Sequence, residues 1–229
     1  MNLHRFIFIL LLLLASPTLH SRTINWGDDV GSTLYDSTGA LLDDSFVFEL
    51  GSFGSFLPTE FNLIDWVPNW KPFDRAAAPA GSGWNSGAAY FTSSASLLTD
   101  GTSSEAGTWS LPNNTFSFGE QAYIWAYNSQ TLVPNTTEWA LFTNGFDGNA
   151  ADNWTFPSPA DQTGLPLDWR LNGATYTPFG AILNTQGPGD HAANPGTFDL
   201  QTHTTPIPEP ATALLVALTL GMHGFRRRR

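Results

Sequence analysis

The chain has 229 residues and no cysteine, and its twenty acidic and nine basic side chains give a net charge of −11. Without cysteine it can form neither a disulfide nor a zinc–thiolate site, and thiol catalysis is excluded. Residues 23–205 contain three of the basic and nineteen of the acidic residues, a net charge of −16. A surface of this charge repels phosphate groups, which excludes electrostatic binding to nucleic acid or anionic lipid.

The first residues have the composition of a secretory signal peptide. His4 and Arg5 precede ten apolar residues at 6–15, and small and polar residues follow as far as Arg22. A charged start, an apolar stretch of this length and small residues after it are the three parts of such a signal. We therefore expect residues 1–22 to be a signal peptide that is cleaved between Ala15 and Arg22. An uncleaved anchor is the alternative, although ten apolar residues are short for a membrane span.

Residues 23–205 predict a single all-β domain. Short segments rich in aromatic and β-branched residues occur at 45–50, 88–92, 115–118, 121–127 and 138–143. Phe116 and Phe118 alternate with polar residues, as in a half-buried strand. Glycine and proline interrupt the chain at short intervals, and only residues 63–75 predict a helical turn, whose length Pro68 and Pro72 limit. We expect one antiparallel β-sandwich or jelly roll.

All nine tryptophans lie in this domain. Trp125 and Trp139 fall inside predicted strands, where we expect them in the core. Trp66, Trp70 and Trp84 lie in loop-like sequence, which leaves two alternatives. They either pack beneath a long loop or are exposed as platforms on which sugar rings stack, and the second alternative predicts a carbohydrate-binding module.

A polar loop at residues 144–153 is the best candidate for a metal site. Asp147, Asn149 and Asp152 supply the oxygen ligands that calcium prefers. Their spacing lacks the register and the bidentate glutamate of an EF-hand, so Asx turns at the surface are the alternative. We expect no cofactor, with calcium at this loop as the open alternative.

Motifs of common enzymes are not found in the sequence. It contains no His-Glu-x-x-His, no Gly-x-Ser-x-Gly and no Walker loop. The two histidines of the domain, His191 and His203, lie in polar sequence near its end, where we expect both to be exposed. We therefore expect no enzyme. A secreted hydrolase is the alternative, and it would need a pocket holding two acids or one acid with His191.

The last 24 residues combine three features. Pro208 and Pro210 flank Glu209, so this segment should be extended and accessible. The apolar run at 211–225 is shorter than the roughly 20 residues of a spanning helix. The four residues Arg226, Arg227, Arg228 and Arg229 should hold the end of the chain in the cytoplasm.

This tail resembles the PEP-CTERM sorting signal of bacterial surface and extracellular proteins. The resemblance covers residues 206–229 and implies that Pro208, Glu209 and Pro210 are recognised by an exosortase, a membrane protease. It further implies that residues 211–225 form a short hydrophobic helix that anchors the chain transiently in the inner membrane. An ordinary anchor that is never processed is the alternative.

Together these features predict an exported exosortase substrate that ends at the cell surface or in the extracellular matrix. We expect residues 23–205 to act as a structural or interaction component of that surface or of its exopolysaccharide matrix. A carbohydrate-binding module and a secreted hydrolase are the alternative functions.

Overall fold

The computed structural model describes residues 21–79, 81–145, 153–160 and 164–206. Several predicted features lie outside these residues, namely the segment 1–20, the calcium candidates Asp147, Asn149 and Asp152, the motif Pro208, Glu209 and Pro210, and Arg226, Arg227, Arg228 and Arg229. Across the described part of the chain, no helix has the length and apolar character needed to cross a membrane.

The described residues form thirteen strands and one short α-helix, α1 (Trp66–Asn69). The strands are β1 (Ser21–Gly27), β2 (Leu34–Tyr35), β3 (Val47–Ser52), β4 (Lys71–Ala77), β5 (Trp84–Asn85), β6 (Tyr90–Leu98), β7 (Ala122–Tyr127), β8 (Glu138–Thr143), β9 (Leu167–Arg170), β10 (Tyr176–Phe179), β11 (Ala181–Ile182), β12 (Leu200–Gln201) and β13 (His203–Thr204). The predicted all-β class is therefore confirmed. The predicted helical turn is also present, as a 3-10 turn at Leu63–Asp65 followed by α1.

The strands are arranged in three sheets. A four-stranded sheet has the order β5-β6-β1-β9, and a three-stranded sheet has the order β11-β12-β2. The largest sheet has the order β10-β8-β7-β3-β4, with β13 also paired to β8. Two pairings, β1 with β9 and β12 with β2, are parallel and so differ from the predicted antiparallel arrangement. Both join strands far apart in sequence, as parallel pairs require.

The largest sheet is buried on both faces. Every residue of β7 and β8 is buried. On one face Phe48, Ile124 and Phe142 pack into a core that also contains side chains of the four-stranded sheet. On the other face Trp125 and Trp139 belong to a second, mainly aromatic cluster. Because side chains alternate across a strand, apolar residues at consecutive positions cover both faces.

Residues 53–70 fold over the second face, and we call this segment the cap. Phe53, Leu63, Trp66 and Trp70 point into the aromatic cluster beneath it. The ring of Trp66 stacks on that of Trp139, with centroids 5.5 Å apart and an interplanar angle of 14°. The cap therefore closes a sheet face that would otherwise be exposed to solvent.

The prediction of a strand at residues 115–118 is wrong. Thr115 makes one isolated bridge to Thr102, while Phe116 is buried and Phe118 is 76% exposed. Phe116 stacks on Phe156 with ring centroids 4.5 Å apart. Glu120 accepts a hydrogen bond from the backbone of Ser117, which turns the chain after Phe116. The two phenylalanines therefore have different environments.

Candidate binding cleft

The three tryptophans considered as sugar platforms are buried, so that interpretation of them is wrong. Trp66, Trp70 and Trp84 are 0%, 8% and 1% exposed. Their indole N–H groups donate to Asn62 Oδ1, Glu49 Oε2 and the carbonyl oxygen of Asp43, at 2.9, 2.7 and 2.9 Å. The alternative prediction, that these tryptophans pack beneath loops, is confirmed. Each indole ring covers apolar surface, and its N–H group has a hydrogen-bond acceptor.

The prediction that both histidines are exposed is wrong for His203. His191 is exposed, but His203 is fully buried and its ring stacks on that of His191 at a centroid distance of 4.5 Å. Burial lowers the pKa of His203 to about 4, while a hydrogen bond to Pro188 acts in the opposite direction. Nδ1 and Nε2 of His203 lie 2.9 and 3.0 Å from the carbonyl oxygen of Pro188 and Oε1 of Gln186, so the buried ring has a hydrogen-bond partner at each nitrogen.

A depression of about 390 Å³ brings an acid and His191 together, as the hydrolase alternative requires. It is lined by Ser37, Thr38, Asn135, Glu138, Asp190, His191, Ala192 and Thr204. The Glu138 carboxylate accepts hydrogen bonds from the Ser37 backbone, the Ser37 hydroxyl and the Thr202 hydroxyl at 3.0, 2.7 and 2.6 Å. Ser37 is buried and donates its proton to Glu138, so this geometry suits a structural crosslink and not a nucleophile.

Metal-binding chemistry receives no support from the described ranges. Within them, no group of three or more histidine, aspartate or glutamate side chains is placed to share an ion. The calcium candidates of the 144–153 loop lie outside those ranges, and the calcium hypothesis stays a prediction.

A cleft separate from this depression lies between the cap and β10 and combines aromatic and polar side chains. It encloses about 470 Å³ and is lined by Thr59, Glu60, Phe61, Thr175, Tyr176, Thr177, Pro178, Thr185, Gln186, Gly187 and Pro188. Phe61 is 90% exposed and Tyr176 is 38% exposed. Glu60 is the one carboxylate among these lining residues. We call this the aromatic cleft.

The turn of the cap that presents Phe61 is held by Asn62. Oδ1 of Asn62 accepts hydrogen bonds from the Thr59 backbone at 2.8 Å and from the Trp66 indole at 2.9 Å. Nδ2 of Asn62 donates to the carbonyl oxygen of Leu57 at 3.0 Å. Because Trp66 is anchored in the aromatic cluster, this turn holds Phe61 in solvent on a rigid base.

A break in strand pairing turns Tyr176 outward on the opposite wall. Tyr176 pairs with Thr143 and Phe179 with Leu141, with a register shift between them. Phe179 is fully buried in the aromatic cluster, whereas Tyr176 reaches the surface. An irregular strand of this kind redirects a side chain without interrupting the sheet.

The third wall, residues 185–188, packs closely on the turn after β10. A Cβ atom placed on Gly187 would lie 2.3 Å from the carbonyl oxygen of Gly180, so only glycine fits there. The backbone N–H of Gly180 donates to the carbonyl oxygen of Pro188 at 2.9 Å. Gln186 lies between His203 and Gln201, at 3.0 Å from Nε2 of the first and 3.1 Å from Oε1 of the second.

Phe61 and Tyr176 were not singled out in the sequence. One signal for Phe61 was present: the cap has large apolar residues on two faces, with Phe61 and Ile64 outward and Leu63 and Trp66 inward. An exposed group of apolar side chains often marks a binding site. Tyr176 carried no comparable signal, because its exposure depends on the register shift.

The chain matches no protein-family model, no curated protein and no solved structure.

Proposed function

We propose that the chain is an exported, non-catalytic interaction protein that binds polysaccharide of the cell-surface matrix through the aromatic cleft. The observation that carries the proposal is the pair of exposed rings, Phe61 and Tyr176, on two walls of one cleft. Aromatic faces stack on the apolar faces of sugar rings, and the hydroxyl groups of Thr59 and Thr185 are suited to bind sugar hydroxyls.

Charge narrows the class of polysaccharide. Residues 23–205 carry a net charge of −16, and the cleft contains Glu60 without a lysine or arginine among its lining residues. An acidic polymer would be repelled by this field and would find no cation to pair with. We therefore propose a neutral polysaccharide as the ligand.

The export part of the proposal is based on the two ends of the sequence. The signal-like segment 1–22 and the PEP-CTERM-like tail 206–229 would deliver the domain through the inner membrane to the cell surface. Strand β1 begins at Ser21, so a cleavage bond just before Ser21 would leave that strand complete.

The finer architecture is also a proposal. We infer that the four-stranded and the largest sheet pack face to face as a β-sandwich. Phe91 of β6 stacks on Phe48 of β3 with ring centroids 4.0 Å apart, and Trp26 of β1 lies 6.0 Å from Phe91. Side chains of both sheets thus share one core, as the layers of a sandwich do.

Replacing Phe61 with alanine should weaken binding of neutral polysaccharide about two- to tenfold, because an aromatic contact contributes about 0.5–1.5 kcal/mol. Isothermal titration with soluble neutral glucans and mannans measures this change. Phe118→Ala is the matched control, since Phe118 is also exposed but does not line the cleft. Equal affinity of Phe61→Ala and the unmodified chain would contradict the proposed site.

In a host that has an exosortase, the surface form of the protein should lack Arg226, Arg227, Arg228 and Arg229. Glu209→Ala should keep them and accumulate in the inner membrane, because the extended motif would no longer be recognised. Intact-mass measurement of each cell fraction distinguishes these outcomes, with Pro206→Ala as the control beside the motif. Surface protein that still carries its arginines would contradict processing.

A further inference from the structure

The cap has an apolar outer surface in addition to its buried one. Four of its large apolar side chains lie outside the aromatic cluster and are exposed, by 57% at Leu57, 90% at Phe61, 75% at Ile64 and 42% at Val67. We call these four side chains the outer cap surface. Exposed apolar side chains concentrated on one short segment mark an interaction surface, because a partner that covers them removes apolar area from water.

The outer cap surface also carries negative charge. Glu60 and Asp65 are exposed between its apolar residues, and neither carboxylate forms an ion pair with another residue that the structure describes. Residues 53–70 contain no lysine or arginine. A partner for this surface should therefore combine apolar side chains with positive charge.

A second copy of the domain does not offer this combination. Its three basic side chains are each held in an ion pair, namely Lys71 with Glu120, Arg75 with Glu49, and Arg170 with Asp168. Two copies of residues 23–205, each with a net charge of −16, also repel each other. The tail of the same chain does offer it, because the apolar run at 211–225 is followed by four arginines at 226–229.

The last described strand lies beside the sheet residue that the cap covers. Strand β13 pairs with β8, and His203 lies opposite Trp139 in this pair. The ring of Trp66, from the cap, stacks on Trp139. The described chain ends at Pro206, three residues beyond this pair.

The loop that holds this end of the chain also contacts the base of the cap. The backbone N–H of Asn135 donates to the carbonyl oxygen of Thr205 at 2.9 Å. Leu132, in the same loop, packs against the aromatic cluster, as does Phe56 of the cap. Residues 207–210, which precede the apolar run, span roughly 13 Å when extended. So short a tether gives the run a high effective concentration at the cap, and weak contacts are then sufficient for docking.

We propose that residues 211–229 dock on the outer cap surface in the unprocessed protein and cover Phe61, so that removal of the tail opens the aromatic cleft. The apolar run replaces water on the four exposed side chains, and the arginines pair with Glu60 and Asp65. The polysaccharide part of this proposal rests on the proposed function.

This docking gives processing a second consequence besides release from the membrane. The apolar run is shorter than a spanning helix, so its insertion in a bilayer is less favourable than that of a full-length span, and docking competes with it. A chain that keeps its tail has a covered cleft, and a processed chain has an open one. The Phe61→Ala comparison of glucan affinity is therefore made on the processed form.

Thiol labelling of the exported, tail-carrying chain from a host without an exosortase tests the docking. The chain has no cysteine, so Ile64→Cys introduces a single reactive group on the outer cap surface. A hydrophilic maleimide should label it about tenfold more slowly than in the same chain with Leu215→Asp and Leu218→Asp, which make the run polar. Leu215→Met with Leu218→Met keeps the run apolar and should keep the slow rate.

Phe118→Cys is the matched control for labelling, because Phe118 is 76% exposed, as Ile64 is by 75%, but lies outside the cap. Its rate should be the same with either tail. Equal rates at Ile64→Cys with the unmodified and the aspartate tail would overturn the docking. Slow labelling that disappears on dilution would overturn it too, because a second copy would then be the occupant.

The ligand measurement is separate from the labelling. The tail-carrying chain should bind a neutral glucan about tenfold more weakly than its Leu215→Asp and Leu218→Asp variant, in which Phe61 is uncovered. Equal affinities in spite of slow labelling would overturn the covering of the cleft. If the aspartate variant binds no glucan or mannan, the proposed function fails, while the labelling rates still decide for or against the docking.

Discussion

Replacing Trp66 with alanine is expected to lower the free energy of unfolding by about 3–5 kcal/mol, the largest effect of any single cap substitution. The side chain is fully buried, stacks on Trp139 and meets the edges of Trp125 and Phe179 at 5.8 and 6.2 Å. Its removal leaves a cavity in a cluster of rigid rings that cannot collapse to fill it. The indole hydrogen bond to Asn62 is lost as well, so the turn presenting Phe61 loses its anchor.

Urea unfolding followed by tryptophan fluorescence measures the loss. The matched control is Val67→Ala, which changes the next residue on the exposed face of the same helix and should cost less than about 1 kcal/mol. If Trp66→Ala costs no more than Val67→Ala, the cap does not pack on the sheet as described. Weaker glucan binding by Trp66→Ala, with Phe61 still present, would further support the link between anchor and cleft.

Glu49→Ala should lower the free energy of unfolding by about 3 kcal/mol, because it leaves buried donors without an acceptor. Glu49 is fully buried in the middle of β3. Its Oε1 accepts two hydrogen bonds from the Arg75 guanidinium, at 2.8 and 2.5 Å. Its Oε2 accepts from the Trp70 indole at 2.7 Å and from Gln130 at 3.1 Å. One carboxylate therefore joins strand β4, the cap and the chain after β7.

The control is the surface pair of Asp168 and Arg170, whose Oδ1–Nε distance is also 2.8 Å but whose side chains are 58% and 32% exposed. Asp168→Ala should cost at most about 0.5 kcal/mol, because water replaces the partner at the surface. Thermal unfolding of both variants gives the comparison. Equal losses of the free energy of unfolding in Glu49→Ala and Asp168→Ala would contradict the prediction that burial makes the Glu49 carboxylate more stabilising.

The strands could be predicted where local composition decides the structure. Residues 138–143 were predicted as a strand and form β8, and residues 121–127 include all of β7. Both segments are rich in aromatic, aliphatic and alanine residues at consecutive positions, which suit a sheet covered on both faces. The all-β class follows from such segments without any knowledge of how they pair.

Features that depend on distant contacts could not be predicted in this way. Trp66, Trp70 and Trp84 lie in loop-like sequence, yet they are buried because the chain folds back over a sheet face that the local pattern does not reveal. The exposure of Tyr176 depends on a register shift against β8, and the burial of His203 on a wall supplied by residues 186–188. The aromatic cleft forms because the fold places the cap next to β10, and the local sequence does not indicate this contact.

The parallel pairings have a consequence for the timing of folding. Leu34 and Tyr35 pair with Leu200 and Gln201, and residues 24–27 pair with 167–170. A chain that crosses a membrane from its N-terminus, as proposed, brings out β1 and β2 long before their partners emerge. Contacts of such sequence separation form slowly. β1 can pair with β6 as soon as that strand emerges, but the edge of β1 that receives β9 and the edge of β2 that receives β12 stay unpaired until late in translocation. The last strands to cross the membrane, β9 and β12 among them, are thus the ones that complete the sheets containing β1 and β2.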